Sequence, residues 1–427
     1  MSGAFLLRLP VATAVGLPLS SLDGPWQTLR NCFLSHVSSS VKQDTIMARA
    51  FPGIFSVGDY RSAARRRLPR MVFDYLEGGA DDESGLTHNR AAFDKWELRP
   101  RRLVDVSERV QSTELLGREI SSPLLIAPTG LNSAFWPDGD LALARAASKA
   151  GIPFALSTAS NMSIEEVSRG ADGDLWFQLY VVHRNLAKSL VTRAREARYS
   201  TLILTTDVAV NGFRQRDLRN GFAMPFKVTP RGALDGISHP RWLWSYLTNG
   251  MPQLKNFATD DASDTASQTA VLRREMDASF SWDDLRRLRD DWPGKLLVKG
   301  VVTAEDAARC MEIGADGVIV SNHGGRQLAD LPAPIDALPS ISDATPTTDL
   351  ILDSGIRRGA DVVKAVALGA TAVMLGRATL YGLSAKGEAG VSDVIAMIKE
   401  EIDRTLALIG SSSIMEVNRS CVARRPV

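Results

Sequence analysis

Cysteine is scarce in this sequence. Its 427 residues hold three, Cys32, Cys310 and Cys421, none near another. That spacing excludes a disulfide-knit scaffold and a cysteine-ligated zinc ribbon, and makes a reducing compartment the default. The five histidines are scattered and none belongs to a His-Glu-x-x-His pair, so no metal site is expected. No two of the 33 glycines stand two apart, which removes the G-x-G-x-x-G dinucleotide fingerprint. A P-loop and a G-x-S-x-G nucleophile elbow are absent too, and hydrolase readings fall away with them. An excess of one charge is also missing: 50 Lys and Arg face 49 Asp and Glu. A nucleic-acid partner, which selects a strong basic excess, is therefore not expected. No uninterrupted apolar run reaches the roughly 18 residues of a membrane-spanning helix.

The ends read differently from the middle. Residues 1–46 form an N-terminal extension in which FLLRLPVATAVGLPLSSL is broken by Arg8, Pro10 and Pro18 and followed by Ser-rich sequence. A targeting segment is one reading, and a start at Met47 is the other. Residues 47–410 form the main domain, and 411–427 a C-terminal tail.

Within the domain, short apolar runs alternate with helical patterns. The runs are PLLIAP (123–128), PFALST (153–158), LWFQLYV (175–181), TLILTTD (201–207), KLLVKG (295–300), GVIVSN (317–322), DLILDSG (349–355) and AVMLGR (372–377). Most are apolar throughout, as in parallel strands covered on both faces. Eight consecutive units predict an α/β fold, a single (β/α)8 TIM barrel, over a doubly wound sheet. Two segments break the rhythm: a helical preface over 55–110, and an insertion over 208–281 after the fourth strand. The insertion's small, polar stretch 259–270 is expected to be mobile.

Active sites of such barrels lie at the carboxyl ends of the strands. Those ends carry Thr129 and Gly130; Ser157; Gln178 and Tyr180; Thr205 and Asp207, with Arg214 beyond; Lys299; and Ser321 to Arg326. The last two runs end in Asp353 and Gly355 with Arg357 following, and in Gly376 and Arg377. So many polar groups on one rim are not explained by packing, because charged side chains are rarely buried unless paired or functional. Gly355 and Gly376 allow close backbone approach beside Arg357 and Arg377, which predicts a phosphate site after the last two strands. SNHGGRQL is the sharpest motif. His323 is a proton carrier for neutral pH. Arg326 and Arg214 offer planar forks for a carboxylate, and Asp207, if near His323, orients its ring. A proton acceptor beside carboxylate-binding arginines implies an acid substrate with a removable α-hydrogen.

With KLLVKG, DSGIRRGADVVKAVALGA, MLGRATLYGL, LPRMVFDYLEGGADDE and FQLYV, that motif resembles the FMN-dependent α-hydroxy-acid dehydrogenase family over about residues 55–410. The stretches PTGLNSAFWPDGDLALARAA, TTDVAVNGFRQRDL and GMPQLKNF resemble its mandelate-oxidising branch. The resemblance implies FMN as cofactor and oxidation of an (S)-2-hydroxy acid, (S)-mandelate above others, to the 2-oxo acid. It makes His323 the base and Asp207 its partner carboxylate. Arg326, Arg214 and Tyr75 then bind the substrate carboxylate, and Tyr180 meets its hydroxyl. Lys299 stands by the flavin pyrimidine ring, where it serves both binding and catalysis. Thr129, Gly130, Ser157, Gln178 and Thr205 become flavin-ring contacts; Asp353, Gly355, Arg357, Gly376 and Arg377 become ribityl and phosphate contacts. A homotetramer, and a protein peripheral to the cytoplasmic side of a membrane that hands electrons to a quinone or other electron-transfer acceptor, are implied as well.

One departure is Ala159, where glycolate-type members carry Trp; the smaller residue leaves room for a phenyl ring. The membrane surface is expected to meet the insertion, where His239 to Leu247 mixes aromatic, aliphatic and basic residues. An ordinary lid is the other reading of that segment. An oxygen-using oxidase of lactate or glycolate type, and a non-catalytic barrel that binds FMN or phosphate, stand as rival functions. A soluble cytoplasmic protein, or an organellar one if residues 1–46 are a targeting segment, stand as rival locations.

Overall fold

The runs of Leu, Ile and Val close on themselves. In the computed structural model, which describes residues 53–221, 230–250, 252–257 and 276–426, eight parallel strands form a closed barrel. They are β4 (Leu124–Ile126), β5 (Phe154–Ser157), β6 (Leu175–Leu179), β7 (Thr201–Thr205), β8 (Lys295–Val301), β9 (Gly317–Val320), β10 (Asp349–Leu352) and β11 (Ala372–Leu375). They pair in sequence order, and β11 returns to β4 with Val373 opposite Leu124. Every residue of β5, β6, β7, β9 and β11 is buried, as two covered faces require. The extension 1–46 and the stretch 259–270 lie outside the described residues.

Among the described residues three helices precede the barrel: α1 (Val57–Arg67), α2 (Arg70–Glu77) and α3 (Ser84–Asp94). Ser56 caps α1 by accepting from Asp59 N at 3.2 Å. A short strand β1 (Trp96–Leu98) then pairs antiparallel with β12 (Val422–Arg424). The hairpin β2 (Thr113–Leu115) and β3 (Arg118–Ile120) plugs the amino-terminal end of the barrel. Its Leu115, Leu116 and Ile120 join one cluster with Leu125, Trp176, Ile203, Leu297, Ile319, Ile351 and Met374 from the strands. The backbone N–H of Leu116 donates to Asp349 at the start of β10, 2.8 Å away. The hairpin thus packs the end of the barrel opposite the carboxyl rim.

The outer layer is α4 (Gly139–Ala150), α5 (Ile164–Gly170), α6 (Arg184–Glu196), α10 (Trp282–Asp291), α11 (Ala304–Glu312), α12 (Pro334–Ala344), α13 (Gly359–Ala367), α14 (Arg377–Lys386) and α15 (Glu388–Ile409). Ser163 and Glu166 close a reciprocal capping box on α5, which fixes where the chain leaves the rim after β5. The 22-residue α15 buries Val391, Val394, Ile395, Ile398, Ile402 and Leu406 along one stripe against its neighbours. Cutting Ile398 back to Ala would cost about 2–5 kcal/mol.

The insertion after β7 carries α7 (Gln215–Arg219), α8 (Pro230–Ser238), α9 (Pro240–Asn249) and a 3-10 turn at Lys255–Phe257. Helix α9 is tied to the loop after β4, since the Trp242 indole N–H donates to Ala134 O at 2.8 Å. Its Trp242 and Tyr246 rings stack with centroids 5.2 Å apart. Leu234 and Ile237 of α8 and Trp244 and Leu247 of α9 are each more than 60% exposed.

Candidate active site

One cavity occupies the carboxyl rim of the barrel. It is lined by Tyr75, Thr129, Gly130, Ser157, Tyr180, Arg214, Lys299, His323, Arg326, Asp353, Gly355, Arg357, Gly376 and Arg377. Fourteen of the seventeen residues to which the resemblance gives a catalytic, substrate or cofactor role thus face one space. The other three lie just behind it. Asp207 backs His323, and Gln178 and Thr205 sit beneath Ser157.

The loop after β9 places His323. Residues His323, Gly324 and Gly325 all adopt left-handed backbone, with φ of 57°, 66° and 71°. For a histidine that conformation costs about 1–2 kcal/mol, and it aims the ring across the rim. A Cβ at position 324 would also stand 2.8 Å from Arg377 Nη1, so the guanidinium would have to shift. The turn is held from below by a reciprocal amide pair. Asn322 Nδ2 donates to Asn89 Oδ1 at 2.7 Å, and Asn89 Nδ2 donates to Asn322 Oδ1 at 2.9 Å.

His323 Nδ1 lies 2.9 Å from Asp207 Oδ1, and Nε2 lies 3.3 Å from the Tyr180 hydroxyl. Burial pushes the Asp207 carboxyl up, but His323 and then Lys299 outweigh it, so it stays below the ordinary carboxylate value. Gly300 makes room for this carboxylate: with φ of 103°, a Cβ there would meet Asp207 Cγ at 2.7 Å.

Deeper in, the hydroxyl of Ser321 is a hub. It accepts from Lys299 Nζ at 3.0 Å and from His323 N at 3.0 Å, and donates to Asp353 Oδ2 at 2.6 Å. Lys299 Nζ is itself 3.0 Å from Asp353 Oδ2. Burial would lower the lysine, yet Asp353 and Asp207 hold it above its ordinary value; burial would raise Asp353, yet Lys299 and Ser321 hold it below. Both are therefore charged at neutral pH. On the barrel wall, Ser157 Oγ donates to Gln178 Oε1 at 3.0 Å, and Gln178 Nε2 donates to Thr205 Oγ1 at 2.9 Å.

Arginines crowd the other side of the cavity. Arg377 is half-buried and donates to three carbonyls, Leu76 O, Gly324 O and Gly78 O, at 3.1, 3.0 and 2.9 Å. Burial, followed by the charge of Arg326, lowers its pKa to about 10. Arg326 Nη1 donates to Tyr75 O and Gly78 O at 2.9 and 2.7 Å, and its guanidinium stands 5.1 Å over the Tyr75 ring. Arg214 is buried; its Nε donates to Arg326 O at 3.3 Å, while Nη2 has no hydrogen-bond partner among the described residues.

These residues fit FMN. Positive charge concentrated around Arg377 and Arg357 beside Gly355 and Gly376 suits a phosphate. A buried cation at Lys299 and the Ser157–Gln178–Thr205 chain suit a polar ring system lying across the strand ends. The buried, unsatisfied Arg214 Nη2 suits a carboxylate next to it.

The sequence reading missed several wall residues: Leu131, Phe135, Phe213, Asp217, Leu218 and Leu380. Phe135 stacks on Tyr75 with centroids 6.2 Å apart. Its signal was present, since LNSAFW follows the first strand directly, where barrel sites are built.

Fold and site define a class, barrel oxidoreductases that carry a phosphate-bearing flavin, and the chain belongs to the FMN-dependent dehydrogenase family, whose model matches residues 64–424. Within it, the chain is 58% identical over 365 residues to the (S)-mandelate dehydrogenase of Pseudomonas putida, covering 86% of this chain and 93% of that protein. It is 42% identical over 364 residues to the L-lactate dehydrogenase of Pectobacterium atrosepticum, covering 84% and 94%. Among solved structures, a monotopic membrane protein, (S)-mandelate dehydrogenase, superposes with a TM-score of 0.85 at 56% identity, covering 88% of this chain and all of that one. A mandelate oxidase superposes with a TM-score of 0.73 at 33% identity, covering 85% and 97%.

Proposed function

We propose that the protein oxidises (S)-2-hydroxy acids, (S)-mandelate best, to 2-oxo acids, and passes the electrons to a quinone-type acceptor at a membrane surface. The observation that carries the reading is the Asp207–His323 dyad facing a cavity whose wall holds Arg214, Arg326 and the small Ala159. The higher identity to an (S)-mandelate dehydrogenase than to an L-lactate dehydrogenase supports the aromatic substrate.

When bound, FMN accepts the two electrons of the oxidation and gives them on to the acceptor. The chain supplies the rest. Arg214 and Arg326 hold the substrate carboxylate, which fixes the α-carbon relative to His323. Tyr180, already beside His323 Nε2, meets the substrate hydroxyl. His323 Nε2 takes the proton released as the carbinol carbon becomes a carbonyl, and Asp207 stabilises the imidazolium and fixes the ring. Lys299 keeps a positive charge over the strand ends. Tyr75 and Phe135 cover one side of the cavity and keep water from the reacting carbon.

The exposed Leu234, Ile237, Trp244 and Leu247 on α8 and α9 support a surface association with a bilayer. No helix among the described residues is long and apolar enough to cross one. A homotetramer and the cytoplasmic side of the membrane belong to the same reading, on the strength of the family resemblance, and residues 1–46 are read as an extension on their composition.

Dye-linked turnover of the FMN-loaded protein tests this. Turnover of (S)-mandelate above (S)-lactate, with none of (R)-mandelate, is expected. Faster turnover of (S)-lactate, or equal use of both mandelate enantiomers, would contradict it.

A further inference from the structure

Next to the two arginines stands an acid that the mechanism above does not use. Asp217 lies three residues beyond Arg214 on α7, is buried, and lines the same cavity. Its Oδ2 is 3.9 Å from Arg214 Nη1, within reach of the charge but too far for a hydrogen bond. Among the described residues its Oδ1 has no hydrogen-bond partner, and neither has Arg214 Nη2. Two buried groups of opposite charge are thus side by side, each with an unsatisfied atom. A carboxylate entering between Arg214 and Arg326 would satisfy the arginine and bring a second negative charge towards Asp217.

We infer that Asp217 is the built-in counter-ion of the Arg214–Arg326 pair, a positioning residue that competes with the substrate carboxylate for that pair and takes up a proton when the substrate binds. This rests on the carboxylate-binding role proposed for the two arginines.

The surroundings allow that proton. Burial raises the Asp217 carboxyl to about 6, against the pull of Arg326 and Arg216 and with the help of Asp74 and Glu83. Among the described residues, those four, with Arg214, are the charged groups that act on it. Arg214 and Arg216 come from its own segment, Asp74 from α2, Glu83 from the turn before α3, and Arg326 from the loop after β9. Arg216 is committed elsewhere, to Glu83 and to Asp74, 3.5 Å away. A second carboxylate near Asp217 raises its proton affinity further, because like charges at short range cannot both stay ionised cheaply. The sign follows. Below about 6 Asp217 is neutral and leaves both arginines to the ligand; above it the carboxylate competes, and affinity falls by up to about tenfold per pH unit.

Phenylacetate, which is mandelate without the hydroxyl and cannot be oxidised at that carbon, is the probe. Its binding to the FMN-loaded holoenzyme is read from perturbation of the flavin spectrum between about pH 5 and pH 8, a window bracketing that carboxyl. The parent is expected to lose affinity with rising pH, while Asp217→Asn binds as tightly at the top of the range as at the bottom, about tenfold or more tighter there than the parent. KM for (S)-mandelate should fall with kcat little changed. Calorimetry on the unmodified holoenzyme, in two buffers of different ionisation heat at neutral pH, should show uptake of close to one proton per phenylacetate. An Asp217→Asn enzyme that keeps the parental pH slope, which would then belong to His323, or an unmodified holoenzyme that takes up no proton, overturns the inference alone. A parent that binds no phenylacetate at any pH removes the carboxylate site itself.

Discussion

Asp207 gives one oxygen to His323 Nδ1 at 2.9 Å and keeps the other buried, without a hydrogen-bond partner among the described residues. A carboxylate held this way is tied to a single imidazole, and its charge is offset chiefly by the proton that the ring acquires. His323→Asn should therefore lower kcat for (S)-mandelate by about a hundred- to ten-thousand-fold, while the flavin spectrum of the purified protein is unchanged. Asp207→Asn should lower it less. It should also move the acid limb of kcat/KM to lower pH, because the anion that favours the protonated ring is gone. Rapid-mixing measurement of flavin reduction across pH checks both.

The Gly130–Ala159 pair sets the width of the cavity. A Cβ at position 130 would lie 2.9 Å from Ala159 Cβ and 3.1 Å from Ala159 O, so Gly130→Ala must displace the wall. Its KM for (S)-mandelate should rise severalfold. Ala159→Trp fills the space directly. It should lower kcat/KM for (S)-mandelate by about tenfold or more, the worth of 1–3 kcal/mol of lost pocket contact, and leave (S)-lactate less affected. Steady-state rates on the two acids decide it.

Lys299 is the partner that keeps Asp353 charged inside the barrel, at 3.0 Å. Lys299→Met leaves a buried anion unpaired, at a cost of about 3–5 kcal/mol, and should also release FMN more readily. The pH sign is fixed by the direction of the shift. Asp353 is held below its ordinary value of 3.8, so its stabilisation is complete above that value and is lost as pH falls through the lower, folded one. Denaturant unfolding at a series of pH values should show this acid-side loss in the parent and a flatter profile in Lys299→Met.

The exposed apolar residues of α8 and α9 predict a separable property. Replacing Leu234, Trp244 and Leu247 together by Gln should abolish co-sedimentation with anionic vesicles. Dye-linked turnover should stay within about twofold, since the hydrogen bond from Trp242 to Ala134 is kept. Vesicle binding that survives the triple change would place the membrane contact elsewhere.

Much of the barrel was legible because its strands are buried on both faces, so each reads as an unbroken apolar run. The helix between β9 and β10 was not. PIDALPSISDA holds Pro339 inside α12 and Pro334 at its start, and proline normally argues against a helix interior. Hairpin 113–120 escaped as well, since three-residue strands carry no period and their burial comes only from plugging the barrel. The cavity's charged residues were legible because strand ends are where a barrel presents chemistry. Asp217 was not, because in RQRDLR it looks like one more charge on a solvated helix; only packing against Arg214 shows that it is buried. Asn89 and Asn322, paired across 233 positions, are invisible in sequence for the same reason.

The most direct test of the account is anaerobic addition of (S)-mandelate to the purified, FMN-loaded protein, followed in the visible flavin band. The account predicts full bleaching by (S)-mandelate, none by (R)-mandelate, and slow recolouring when air is readmitted, as for a dehydrogenase whose acceptor is not oxygen. A flavin bleached only by short hydroxy acids, or one that recolours in air as fast as it is reduced, would contradict the proposed substrate or acceptor. A protein that retains no flavin would contradict the site itself.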